Sequence, residues 1–160
     1  MSAVALRPIL AATELDQNPA AGRMVETDRE FLEGVVEIVT QSPRRLPWCA
    51  YLALAEDGAI VGACCFKQAP LQEEVEIAYA TLPSCEGRGF AGAMVAALVG
   101  IARGDQSAAR VIAHTLPERN ASTRVLGRSG FACEGEAIDP EDGLVWRWSI
   151  PLADEPPDSG

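Results

Sequence analysis

The chain is short of positive charge, carries a single histidine and has no long apolar run, and each shortage removes a class of function. Its 13 Lys and Arg stand against 23 Asp and Glu, for a formal charge of -10, whereas a nucleic-acid partner demands a basic footprint that neutralises phosphates. Nucleic acid is therefore not an expected partner. No stretch reaches transmembrane length, and Met1 to Ala12, with Arg7 and Pro8 inside a short apolar segment, lacks the layout of a secretory signal, so no membrane is expected either. The five cysteines are odd in number and lack C-x-x-C spacing, and they read as buried, reduced thiols of a cytoplasmic protein, with no metal site expected.

What is present is an ordinary globular composition, 48% hydrophobic and 22% charged over 160 residues, which suits one domain over residues 1–152. Residues 153–160, polar and broken by Pro156 and Pro157, read as a frayed tail. Periodicity predicts a strand over Val4 to Ile9 and an amphipathic helix over Thr27 to Val39, built on Phe31, Val35, Ile38 and Val39 and opened by a Thr27/Glu30 capping box. Trp48 to Ala55 and Ala59 to Lys67 read as a hairpin turned at Asp57-Gly58, followed by a strand over Val75 to Thr81. A buried helix over Phe90 to Ala102, a strand over Arg110 to Leu116, a short helix over Asn120 to Arg128 stopped by Gly130, and a strand over Leu144 to Leu152 complete a β-α-β-β-β-α-β-α-β order. Glu134, Glu136, Asp139, Glu141 and Asp142 lie in a loop before the last strand, read as solvated in preference to attracting a cationic group to a site, and Trp48, Trp146 and Trp148 read as core or interface residues in preference to a pocket lining.

The run Gly87-Arg88-Gly89-Phe90-Ala91-Gly92 sits between a strand and a helix. There the unpaired N–H groups and the dipole of the helix make an anion site, and glycine lets phosphate oxygens approach the backbone. The same letters satisfy G-x-G-x-x-G, but a dinucleotide fold would place this turn early, against its first strand, with an acid about 20 residues on at a strand tip. Here the turn lies past mid-chain, Asp105 falls in a turn, and too little chain remains for a second nucleotide-binding half. A dinucleotide-dependent reductase is thus the disfavoured reading.

From Val75 onward the residues resemble the GNAT acetyltransferase superfamily. Glu76-Ile77-Ala78-Tyr79, Leu82-Pro83 and Glu86-Gly87-Arg88-Gly89-Phe90-Ala91 are similar to its strand and its Q/R-x-x-G-x-G/A loop, with Glu86 departing from the usual Gln or Arg. Asn120-Ala121-Ser122, Arg124-Val125-Leu126 and Gly130-Phe131 resemble its second helix, with Leu126 where many members carry a tyrosine. The wording is closest to the subgroup acetylating N-terminal amines of ribosomal proteins and small amines. The resemblance implies an α+β fold with a mixed, mostly antiparallel sheet splayed between Val75 to Thr81 and Arg110 to Leu116 and flanked by helices. It implies acetyl-CoA as co-substrate, held by the backbone of Tyr79, Ala80 and Thr81, by Gly87, Arg88, Gly89, Phe90, Ala91 and Gly92, and by Asn120. It also implies an amine acceptor; the partners allowed for include a second copy of the chain.

Acetyl transfer needs a deprotonated amine, a stabilised oxyanion and a proton for the departing thiolate. Glu76, on the strand that leads to the thioester, is the candidate base, accepting the amine's proton through water, with His114 or water itself as alternatives. A main-chain N–H near Tyr79 or Ala80 would hold the oxyanion, and Ser122 would hydrogen-bond the sulfur and help protonate the thiolate, as the subgroup resemblance implies. Direct attack by the amine is the expected route, and a non-catalytic acetyl-CoA sensor is the alternative from another class.

Overall fold

A computed structural model describes residues 3–9, 22, 24–39 and 45–152. Its seven-stranded sheet runs in the order β1-β2-β3-β4-β5-β7-β6. The strands are β1 (Ala5–Ile9), β2 (Ala50–Leu54), β3 (Ile60–Phe66), β4 (Glu74–Thr81), β5 (Arg110–Thr115), β6 (Ala132–Asp139) and β7 (Gly143–Pro151). Three α-helices are described, α1 (Glu26–Val39), α2 (Phe90–Asp105) and α3 (Ala121–Arg128), with a 3-10 turn at Pro83–Cys85 ahead of α2. Every pairing is antiparallel except β4 with β5, which is parallel. The expected α+β architecture with a mixed, mostly antiparallel sheet is the one observed.

The β2–β3 hairpin closes at the predicted place: Ala55 N–H donates to the Ala59 carbonyl at 2.8 Å, and Gly58 takes a φ of 86° that favours glycine. Residues of β3 are buried along its whole length, and α1 and α2 both pack on it, as a strand covered on both faces requires. Met94, Val95 and Leu98 of α2 and Leu32 of α1 are fully buried with Phe66, Ile77 and Val111 of the sheet. Trp48 meets the Phe66 ring edge-on at 4.9 Å, and Trp48 and Trp148 both belong to the core.

Several expectations are corrected. Glu134, Glu136 and Asp139 are not in a loop: they lie on β6, an edge strand held by its register with β7, whose Trp146 and Trp148 face Glu136 and Cys133. Its sequence has no apolar alternation because most of it is solvent-exposed, so pairing rather than burial makes it a strand. Helix α1 begins before Thr27, with Arg29 N–H donating to Val25 O at 3.0 Å, so Thr27 lies inside the first turn and cannot cap it. Its inward stripe runs through Asp28, Leu32 and Val35, leaving Phe31 exposed, while the side chains of Ile38 and Val39 fall outside the described residues. Helix α2 continues through Gly104 to Asp105 and ends on Gln106 at a φ of 67°. Four cysteines are buried as expected, but Cys133 is exposed, and none of the five is in a disulfide. The expected tail, 153–160, lies outside the described residues.

Candidate active site

Strands β4 and β5 pair only through Glu74 with Arg110, Val75 with Val111, and Glu76 with Ile112. Beyond that point β4 stays with β3 as far as the Gly62–Thr81 pair, while β5 stays with β7 as far as the Thr115–Trp146 pair. A gap therefore opens in the sheet between Ile77 to Thr81 and Ala113 to Thr115, and backbone polar groups along it have no neighbouring strand. An extended ligand entering the gap would satisfy them as an added strand does.

One face of the gap continues into a groove of about 440 Å³. Tyr79, Thr81, Gly87, Gly89, Phe90, Ala91, Gly92 and Ser122 all line it, so most of the expected cofactor residues are brought together. Gly87 and Gly89 take φ of 77° and 85°, conformations that other residues adopt only with strain, and Gly89 is the N-cap of α2. The first N–H groups of α2 thus have no side-chain cap and open onto the groove beside the start of α3 at Ala121 and Ser122. Two helix N-termini converge there, which suits an anion.

Three expected residues stand elsewhere. Arg88 lies 5.0 Å over the Phe90 ring and lines a neighbouring groove. Ala80 is absent from the groove lining, because side chains alternate along β4 and Ala80 shares the other face with Glu76. Asn120 caps α3: its Oδ1 accepts from Thr123 N–H at 3.0 Å while Thr123 Oγ1 accepts from Asn120 N–H at 2.9 Å.

The Tyr79 hydroxyl is buried with no hydrogen-bond partner. Burial raises its phenol above the ordinary value, and the adjacent Ser122 hydroxyl works in the opposite direction, although the contact falls short of hydrogen-bond geometry. A buried hydroxyl left unsatisfied is costly.

A polar cluster occupies the opposite face. Glu76 Oε2 accepts from Lys67 Nζ and stands against His114 Nδ1, each at 3.1 Å, and Asp139 Oδ2 lies 3.6 Å from the same nitrogen. His114 Nε2 has no partner among the described residues. Backbone N–H groups of Asp142 and Glu141 hold the Asp139 carboxyl below its usual range, with Lys67 and His114 adding to the effect. Burial pulls Lys67 down, but the hydrogen bond and charge of Glu76 outweigh it and raise the ammonium. One ligand atom each of Glu76, His114 and Asp139 falls within 4.8 Å of the others, so a metal ion is geometrically possible, but Lys67 already fills the cation position at Glu76. Lys67 was not expected in the site, and Asp139 was expected in a solvated loop; the cross-strand register and the β6 pairing bring them in.

Asp28 is the other residue the sequence did not single out. Buried on α1, its carboxylate accepts from Ser84 N–H at 3.1 Å and from the Ser84 hydroxyl, which anchors the turn that feeds the glycine loop.

A split sheet, a glycine turn at an uncapped helix start and a polar cluster at the split make up the candidate site. Residues 6–132, well over half of the chain, match the family described as the acetyltransferase (GNAT) domain, and the chain belongs to that family. Comparison with curated proteins finds no match. Among solved structures, a Salmonella typhimurium acetyltransferase that modifies the N-terminal serine of the 50S ribosomal subunit protein L7/L12 is 18% identical, with a TM-score of 0.71 over 94% of this chain and 96% of that one. An aminoglycoside acetyltransferase in complex with coenzyme A is 16% identical, with a TM-score of 0.70 over 93% and 95%. A chimeric spermidine N-acetyltransferase built in part from Vibrio cholerae sequence is 13% identical, with a TM-score of 0.65 over 93% and 95%. At these identities the likeness speaks for the fold. Among the described residues no helix is long and apolar enough to cross a membrane.

Proposed function

We propose that residues 1–152 form one catalytic domain that moves an acetyl group from acetyl-CoA to a primary amine by direct attack through a tetrahedral intermediate. The observation that carries this reading is the gap between β4 and β5, which runs into a groove where α2 and α3 both begin. The unpaired β4 edge suits the amide groups of pantetheine, and the Gly87 to Gly92 turn suits a pyrophosphate. A backbone N–H near Tyr79 or Ala80 would hold the thioester oxygen as negative charge develops.

Glu76 and His114 form the proton-accepting pair. Carboxylates at Nδ1 favour the tautomer with its proton there, which leaves the Nε2 lone pair to take the amine proton, directly or through water. Glu76 orients the ring and offsets the positive charge it gains. Asn120 acts by shaping the start of α3, where Ser122 meets the sulfur. Thiols outside disulfides favour a reducing compartment, here the cytoplasm. A homodimer would find apolar contact at the β6–β7 hairpin, where Ile138 and Leu144 are in register and both exposed.

The acceptor is a protein N-terminus or a small amine, the range covered by the neighbours' own substrates. The test is calorimetric titration with acetyl-CoA, followed by thiol release against a serine-initiated peptide, spermidine and an aminoglycoside. Saturable binding lost in Gly89→Glu, with amine-dependent thiol release, supports the enzyme. Binding without release across that panel favours the sensor, and absence of binding removes the reading.

A further inference from the structure

We propose that Lys67 is itself an acetyl acceptor: bound acetyl-CoA acetylates its ε-amine within the same chain, which makes Lys67 a self-modification site. This inference rests on the acetyl-CoA reading above. It begins from a count: of the 13 Lys and Arg, 12 are arginine and one, Lys67, is lysine. A guanidinium stays protonated in proteins and is no nucleophile, whereas an ε-amine is the ordinary target of acetylation. The chain therefore has one side-chain amine, and it lies in the proton-accepting cluster of its own candidate site.

A purely structural ion pair does not need that amine. Two residues back on the same face of β4, Glu74 is met by Arg110 at 3.3 Å and by Arg147 at 2.7 Å, so arginine serves a carboxylate on this face. Glu76, beside His114, takes the lysine instead, with Nζ at 3.1 Å from its Oε2. Register puts Lys67 at the mouth of the gap. Its N–H donates to the Glu76 carbonyl at 2.8 Å, and Glu76 with Ile112 is the last β4–β5 pair before the strands part. At 39% exposure, on a flexible four-carbon stem, the ammonium has room to leave Glu76 and swing along the opening.

The step balances. Lys67 Nζ passes one proton to Glu76 along the hydrogen bond it already makes, and the lone pair so exposed bonds to the thioester carbonyl carbon. The C–S bond breaks with its electron pair on sulfur, the attacking nitrogen releases a second proton that neutralises the thiolate through solvent, and Glu76 returns the first to bulk water. The products are acetyl-lysine, the CoA thiol and one proton. Burial pulls the ammonium down but Glu76 raises it, so the resting amine is protonated and reaction waits on the first transfer. Acetylation then removes the cation from the Glu76, His114 and Asp139 cluster.

The test starts from the full chain, cleared of any acetyl group with a lysine deacetylase and incubated with isotopically labelled acetyl-CoA and no acceptor. Peptide mass spectrometry should find label on Lys67, appearing about 100-fold or more faster than on the urea-unfolded chain. At saturating acetyl-CoA the rate constant should hold through about tenfold dilution of the protein, because the acceptor is in the same chain. Lys67→Arg keeps a cation at Glu76 and should melt with the parent, yet lose the burst of thiol that accompanies labelling. A native rate no greater than that of the unfolded chain is chemical acetylation only and overturns the inference, as does a rate constant that falls with dilution or an equal thiol burst in Lys67→Arg. A parent that binds acetyl-CoA yet leaves Lys67 unlabelled overturns it while leaving the proposed function intact. A parent that binds no acetyl-CoA overturns both.

Discussion

Gly62→Ala adds one methyl group at the point where β3 meets the gap-lining end of β4. A Cβ there would stand 2.4 Å from the Ala80 carbonyl oxygen, 3.0 Å from Met94 Cε and 3.2 Å from Thr81 Cα. Met94 ends in a flexible thioether and can swing away. The Ala80 oxygen and Thr81 Cα are backbone, so β4 itself must move, from a contact about 1 Å too close. Overpacking of this kind costs about 1–3 kcal/mol, and a rigid neighbour places Gly62→Ala near 3 kcal/mol. For a chain of this size each kcal/mol lowers Tm by roughly 2–4 °C, so a fall of about 6–12 °C is expected in calorimetry. The displaced stretch is the β4 edge proposed to bind pantetheine, so acetyl-CoA affinity should drop by about tenfold or more. Gly104→Ala, near the far end of α2, is the control: nothing lies within 4 Å of its added Cβ. A Gly62→Ala protein with unchanged Tm and unchanged acetyl-CoA affinity would refute the claim that this close approach sets the position of β4.

Three further outcomes are expected. Asp28→Ala should destabilise by about 1–3 kcal/mol in denaturant titration, because it strands the Ser84 N–H and hydroxyl; a change under about 0.5 kcal/mol would deny the anchor. His114→Asn should lower kcat about 100-fold or more while leaving acetyl-CoA binding within a few-fold, and an unaltered kcat would remove His114 from the proton path. The Asp139 carboxyl is held below its usual range in the folded protein, so its contribution is present above the ordinary carboxylate value and is lost as pH falls through the lower folded value. The stability difference between parent and Asp139→Asn should therefore shrink below about pH 4, and a difference constant from about pH 6 to pH 3 would contradict that.

The local elements were largely legible because their signals are local. Asp57-Gly58 turns the hairpin, Asn120 caps α3, and Gly130, at a φ of 93°, ends it with Phe131 N–H donating to Leu126 O at 3.0 Å. Strand β6 is not legible in the sequence because its residues carry no burial pattern, and the stripe of α1 reads out of phase because Asp28 has the character of a surface residue while its carboxylate is buried against Ser84.

By itself the sequence determined the glycine turn, the helix that starts on it and the family resemblance, since each depends on residues adjacent in the chain and on the φ values they permit. The tertiary structure alone decided that Lys67, Glu76, His114 and Asp139 share one cluster and that the Tyr79 hydroxyl is buried without a partner. Strand order and register bring those residues together across the chain, and they follow from packing the sheet as a whole, which no short stretch of sequence encodes.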